Sequence, residues 1–220
     1  MRVTTDASLF GAWVADKLSQ QKNIFRLLDI GTGTGLLSLM IAQKNQADIQ
    51  ALEIDPSAVQ QARENIALAQ MNTRITVIHS AMQDHHSAQP YDHIICNPPF
   101  FKGSLKSPEP QKNLSKHEIN LPIETLAQYI FENLHPTGTA SVLLPASRQD
   151  EASAVFTKAG LFVAEQVQVH QTGAHGAFRN MYWLQKTKTL PVHSRIILKD
   201  ESEKYSEAFK KLLKDYYLNL

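Results

Sequence analysis

Cysteine is nearly missing from this 220-residue chain. Cys96 stands alone, so no internal disulfide can form, and a reducing compartment such as the cytoplasm is expected. Long apolar runs are missing too. No stretch nears the roughly 18 apolar residues of a membrane span, and Met1–Ala7 lacks the basic-then-apolar layout of a signal peptide. The formal net charge is only +1, so the total does not announce a strong nucleic-acid binder. Metal-ligand spacings are absent: His85 and His86 are neighbours on a loop, which rarely converge on one ion, so both are expected at the surface and no metal is expected. Glycine is scarce, nine in all, which lends weight to any place where it clusters.

What is present is a globular composition. Hydrophobic residues make up 43% of the chain, enough for a core without staples, and the length fits one domain over residues 1–220. Short apolar runs alternate with amphipathic stretches, the pattern of strand–helix units around a mostly parallel sheet. Helices are expected at 6–18, 36–44, 56–69, 122–134, 149–159 and 202–218. Strands are expected at 25–30, 49–54, 75–78, 91–96 and 139–144, the last after a turn at 136–138, with an antiparallel pair at 161–170 and 180–186. Cys96 belongs to an apolar strand, so it reads as core. Between Phe101 and His117, Lys102, Lys106, Lys112 and Lys116 face Glu109 alone, and the Pro-, Lys- and Ser-rich stretch 101–121 reads as a long functional loop. The mixed charges near the C-terminus read as a solvated helix face.

Three of the nine glycines fall in Asp29-Ile30-Gly31-Thr32-Gly33-Thr34-Gly35, after a strand and before a helix, where backbone must approach a ligand closely. A nicotinamide-binding turn would need glycine at position 36, and Leu36 stands there. Asp29 suits a pyrophosphate poorly, because two anions would be forced together, but suits the cationic amino-acid end of S-adenosylmethionine (SAM). Glu53, which lies 24 residues past Asp29 at a strand end with Ile54 beside it, is placed to accept both ribose hydroxyls. Past the third strand, Met82 can offer the adenine an apolar face, and Asp84, Ser80 or a backbone amide near Ala81 can meet its edge.

The fourth strand runs into Asn97-Pro98-Pro99-Phe100. Two prolines stiffen this turn at the carboxyl edge of the sheet, where open α/β sheets bind ligands. The Asn97 side-chain carbonyl and the Pro98 backbone carbonyl form two acceptors suited to one NH2 group. Holding both hydrogens localises the nitrogen lone pair and aims it at a methylsulfonium, while Phe100 can stack on the target ring.

At these residues the chain resembles the class I SAM-dependent methyltransferases with an Asn-Pro-Pro-aromatic motif. The resemblance implies a Rossmann-like α/β fold with a seven-stranded, mostly parallel sheet, a C-terminal antiparallel strand and helices on both faces. The opening Val3-Thr4-Thr5-Asp6-Ala7, with Gly11-Ala12-Trp13, is similar to the start of the bacterial enzymes that modify adenine 37 of a valine tRNA. In that family the first segment, here 1–24, covers the cofactor, which implies contacts from Thr5 and Asp6. Leu114-Ser115-Lys116-His117-Glu118 resembles that family's Ala-Arg-His-Glu element, with Lys116 in place of arginine. The implied partner is the anticodon loop of tRNA, bound by a monomer. Lys102, Lys106, Lys112 and Lys116 would meet phosphates, with Arg179, Arg195 and Lys199 as further candidates, and His117 flanks the loop.

Other readings share part of this pattern. A ribosomal guanine-N2 methyltransferase would use the same motif, and a protein-glutamine methyltransferase would share every catalytic residue but carries a helical domain before the core. A nicotinamide oxidoreductase is opposed by Leu36, and a non-catalytic RNA-binding module by the intact Asn97–Phe100 turn.

Overall fold

Strands buried on both faces lose their polar alternation, and Leu27-Leu28-Asp29-Ile30 becomes such a strand. In the computed structural model of the protein, which describes residues 4–21, 24–98 and 121–218, β1 (Arg26–Ile30) is buried from Leu27 onward. It follows α1 (Thr5–Ser19) and leads to α2 (Leu36–Lys44). The chain continues through β2 (Asp48–Glu53), α3 (Pro56–Leu68), β3 (Ile75–His79), a single 3-10 turn at Met82–Asp84, and β4 (Tyr91–Cys96). Asp55 starts α3 by accepting from the Ser57 and Ala58 amides, with Pro56 in the first turn where its missing N–H costs nothing. Beyond residue 120 come α4 (Ile123–Asn133), β5 (Leu134–Pro145), α5 (Gln149–Lys158), β6 (Phe162–His170), β7 (Ala177–Gln185), β8 (Val192–Ile197) and α6 (Glu207–Leu213).

The strands form one sheet in the order β3-β2-β1-β4-β5-β7-β6-β8. β3 through β5 are parallel, β7 is antiparallel to both neighbours, and β8 runs parallel to β6. The α/β class and the antiparallel C-terminal element are as expected, but the sheet has eight strands, not seven. The extra strand, β8, is an edge strand exposed over Val192–Arg195, so it carries no apolar alternation that would mark it in sequence. The turn expected at 136–138 survives as an irregularity inside β5, where pairing jumps from Tyr91↔Leu134 to His93↔Thr139. The last helix is shorter than expected. The Asp200 carboxylate accepts from the Ser202 and Lys204 amides, and a bridge joins Lys199 to Tyr205, so the helix begins only after its Ser206 cap.

One apolar layer packs Leu9, Phe10 and Leu18 of α1 with Ile41 of α2 and Val59 and Ile66 of α3. The other packs Leu126 and Ile130 of α4 and Phe156 of α5 beneath the sheet. Trp13 meets Trp183 of β7 edge-on at 5.7 Å, while the Lys17 ammonium lies 4.8 Å over the Trp183 ring and 2.5 Å from the Glu165 carboxylate. These contacts lay α1 across β6 and β7, with its first turn at the carboxyl edge of the sheet.

Between β4 and β5 the imidazole of His93 is fully buried, pairing through Nδ1 with Thr139 Oγ1 at 2.8 Å and through Nε2 with Ser141 Oγ at 3.1 Å. Burial pushes its pKa down to about 3. The unfolded chain takes up this proton near pH 6.5 and the folded chain does not, so the site loses stability as pH falls from 6.5 towards 3, by about 1.4 kcal/mol per pH unit. Urea unfolding of His93→Gln against wild type is expected to show a difference that changes in this direction and with this slope between pH 6 and 4. A pH-independent difference would contradict the buried neutral imidazole.

Candidate active site

The strand order reverses between β1 and β4, which opens a crevice at their carboxyl ends. Ile30 pairs with Cys96 in register, so the glycine loop and Asn97 leave neighbouring strands side by side, about 5 Å apart at the backbone. Cys96 lies in the core beneath this junction, and burial raises its thiol pKa well above the usual value.

Gly31, Gly33 and Gly35 all adopt positive φ, at 69°, 58° and 83°, a conformation that other residues rarely take. The loop is tied down at several points. The Thr32 amide donates to the Leu52 carbonyl at 2.9 Å, and the Asn65 side chain reaches the Thr34 carbonyl from α3 at 2.9 Å. Asp29 lies fully buried beneath it. Its Oδ2 accepts from Thr32 Oγ1 at 2.6 Å and from Ser38 Oγ at 2.7 Å, while Oδ1 has no hydrogen-bond partner among the described residues. Burial outweighs those two bonds and pushes the Asp29 pKa up to about 6. A buried carboxylate with an unused oxygen matches the ammonium of an amino-acid cofactor end. Ser38 is a part of this site that the sequence reading missed; its position one turn into α2 was the available clue.

Glu53 ends β2 and is only 7% exposed. Its Oε2 accepts from the Gly33 amide at 2.8 Å, and its Oε1 from the Ile54 and Asp55 amides at 2.9 and 3.0 Å. Three of a carboxylate's roughly four acceptor positions are thereby occupied, leaving room on Oε2 for a hydroxyl. Glu53 thus locks the loop to β2 as well as facing the crevice. Ile54 leaves the strand and stands 47% exposed, its carbonyl facing His79 Nε2 at 3.1 Å. Of the adenine-side candidates, Met82 is buried, Ala81 half-buried and Asp84 exposed, and the Ser80 hydroxyl is spent on the Ala81 carbonyl at 2.9 Å.

Asn97 Oδ1 is buried and has no hydrogen-bond partner among the described residues, with Pro98 buried behind it. An orphaned buried acceptor costs on the order of 1–3 kcal/mol, so a donor is expected there in the working complex. Pro99, Phe100, Lys102, Lys106, Lys112, Lys116 and His117 lie outside the described residues. Thr5 and Asp6 sit at the β6–β7 side of the same edge, where Arg179 Nε donates to Asp6 Oδ2 at 2.8 Å. Nothing local predicted that pair, since 173 residues separate its members. Among the described residues there is no cluster of three metal-ligating side chains; His86 is exposed, but His85 is half-buried against the Tyr91 hydroxyl at 2.8 Å. No described helix is long and apolar enough to cross a membrane.

Residues 11–118 match the family model of the methyltransferase small domain. Over the whole chain the protein is 34% identical to a tRNA1(Val) (adenine(37)-N6)-methyltransferase of Bacteroides fragilis, covering 92% of it. It is 36% identical to an enzyme of the same name from Pseudoalteromonas translucida, again over the whole chain and covering 93% of the relative. Among solved structures, a predicted O-methyltransferase of Agrobacterium tumefaciens superposes with a TM-score of 0.68 at 17% identity, over 97% of this chain and 99% of that one. A glycopeptide N-methyltransferase complexed with SAM superposes with a TM-score of 0.59 at 13% identity, over 80% of this chain and 94% of that one. The crevice, the glycine loop and the full-length relatives agree, and the chain belongs to the tRNA1(Val) (adenine(37)-N6)-methyltransferase family of SAM-dependent enzymes.

Proposed function

We infer that the protein transfers a methyl group from SAM to the exocyclic N6 of an adenine in tRNA, adenine 37 in the anticodon loop of tRNA1(Val). The observation that carries this reading is Asn97 Oδ1, buried at the end of β4 beside the glycine loop with no hydrogen-bond partner among the described residues. SAM, when bound, supplies an electrophilic methyl on a cationic sulfur. The chain has to bind it, orient the amine and keep water out.

Asn97 accepts one hydrogen of the target NH2 and the Pro98 carbonyl the other, which frees the nitrogen lone pair from the ring and points it along the line of attack. No strong base is needed, because the nitrogen is acidic once it carries the methyl group. The free oxygen of Asp29 takes the ammonium of the cofactor, the remaining capacity of Glu53 takes a ribose hydroxyl, and exposed Ile54 offers an apolar surface for the adenine ring. A single-stranded loop lets its base unstack at modest cost, so the target base can leave its stack to reach the crevice. Phe100 is the stacking partner for that base and the loop lysines are its phosphate contacts; Thr5 and Asp6 close the site from α1.

Labelled methyl transfer to tRNA from a host lacking this modification, followed by nucleoside analysis, is expected to yield N6-methyladenosine at position 37. Label in guanosine or in protein glutamine would overturn the reading.

Asn97→Ala is expected to keep SAM affinity and to lower turnover by about two orders of magnitude, the scale of losing one preorganised electrostatic contact. Single-turnover kinetics beside calorimetry check both halves. Glu53→Ala is expected to weaken SAM binding, read by calorimetry, by about tenfold or more, since it removes a cofactor contact and unties Gly33. SAM affinity is also expected to depend on pH. Below about pH 6 the Asp29 carboxyl is protonated in the free protein, and an ammonium ligand selects its ionised form, so affinity rises from pH 5 to 7 and then levels off. In Asp29→Asn this rise disappears; its persistence would remove Asp29 from the cofactor site.

A further inference from the structure

A second cavity, of about 250 Å³, opens on the same edge of the sheet, beyond β5. Phe178 and Tyr205 supply aromatic lining, Leu198 apolar lining, and Gln171, Lys199, Thr5 and Asp6 polar groups. Its parts are held by bonds distant in sequence. Tyr205 stacks on Phe209 at 4.4 Å with only 18° between the rings, which fixes its orientation. The Lys199 amide donates to the Gln171 carbonyl at 3.0 Å, and Lys199 bridges to Tyr205, so the backbones of these three lining residues are tied together.

The charges decide what such a cavity takes. Asp6 is neutralised by Arg179 at 2.8 Å. The Lys199 ammonium and the Gln171 carboxamide have no hydrogen-bond or ion-pair partner among the described residues. The cavity therefore offers flat apolar surfaces, one unspent cation and one amide able both to donate and to accept. A nucleotide matches all three, with a ring to stack, polar edges to read and a phosphate to neutralise. Three strand spacings separate β4 from β6, so Gln171 lies roughly 15 Å along the edge from Asn97, a short step along an unstacked strand.

We propose that this cavity receives a nucleotide flanking the target adenine, its base stacked on Phe178 and Tyr205, its edge read by Gln171 and its phosphate held by Lys199. The inference rests on the RNA substrate proposed above and adds a second recognition point to it. The cavity then selects which adenine enters the crevice, because a strand lacking a base here loses one of its two anchors.

The test is a double-mutant cycle on methylation of an anticodon stem-loop hairpin. Phe178→Leu removes the aromatic face but keeps an apolar side chain; Lys199→Ala and Gln171→Ala remove the polar head groups together with their methylene stems. Phe178→Leu and Lys199→Ala are each expected to raise the KM for the hairpin about tenfold, with the loss appearing in KM rather than kcat and the Kd for SAM unmoved. In wild type, one abasic substitution beside the target is expected to reproduce that rise, and to add nothing further in Phe178→Leu. Wild-type KM values in the variants, or full additivity at every abasic position, would overturn the proposal. If the wild type leaves the hairpin unmethylated, the substrate reading falls on its own account. Hairpin binding scored by the same cycle then decides the cavity: one coupled position upholds it and none overturns it.

Discussion

One buried carboxylate sets the position of everything at the crevice. Asp29 is fully enclosed, and an enclosed carboxyl group must be met by donors. Thr32 comes to it from the glycine loop and Ser38 from the first turns of α2, so strand, loop and helix are drawn to a common point. Glu53 repeats the device from β2 by accepting the Gly33 amide. The glycine loop is thus braced by two acidic residues, and the energy of burying Asp29 appears as a pKa raised to about 6.

The rest of the fold brings Asn97 to that braced loop. Strand order reverses beside β1, so the residue that leaves β4 is next to the loop that leaves β1. Hydrogen bonds within the parallel ladder hold Cys96 in register, and Asn97, whose oxygen has no partner among the described residues, follows directly. Rigidity here comes from sheet geometry and from proline, neither of which costs reorganisation when the substrate arrives.

The proposed chemistry and the proposed selection draw on different parts of the chain. The methyltransferase small domain match ends at residue 118 and covers the loop, Glu53 and Asn97. Most of the second cavity's lining comes from residues 171–205, joined by the first turn of α1. The tryptophan pair and the Lys17 contacts fasten α1 to β6 and β7, so its first turn lines the second cavity.

Local chemistry makes much of this legible in the sequence. Glycines after a strand, an acid at each of two strand ends and an Asn-Pro-Pro turn are short-range signals, because each needs only neighbouring residues to specify its backbone. The alternation of strands and helices carried the α/β class for the same reason. Other features depend on partners far away in the chain. β8 exists because β6 offers it an edge, and its exposed side chains leave no periodic trace. The Asp6–Arg179 pair, the orphaned oxygens of Asp29 and Asn97, and the meeting of Phe178, Lys199 and Tyr205 arise only when distant segments pack. Residue identity and spacing determined which groups this chain has available for methyl transfer. The tertiary structure decided which of them are buried, which are already satisfied and which have no partner among the described residues, since burial and pairing belong to the whole packed assembly.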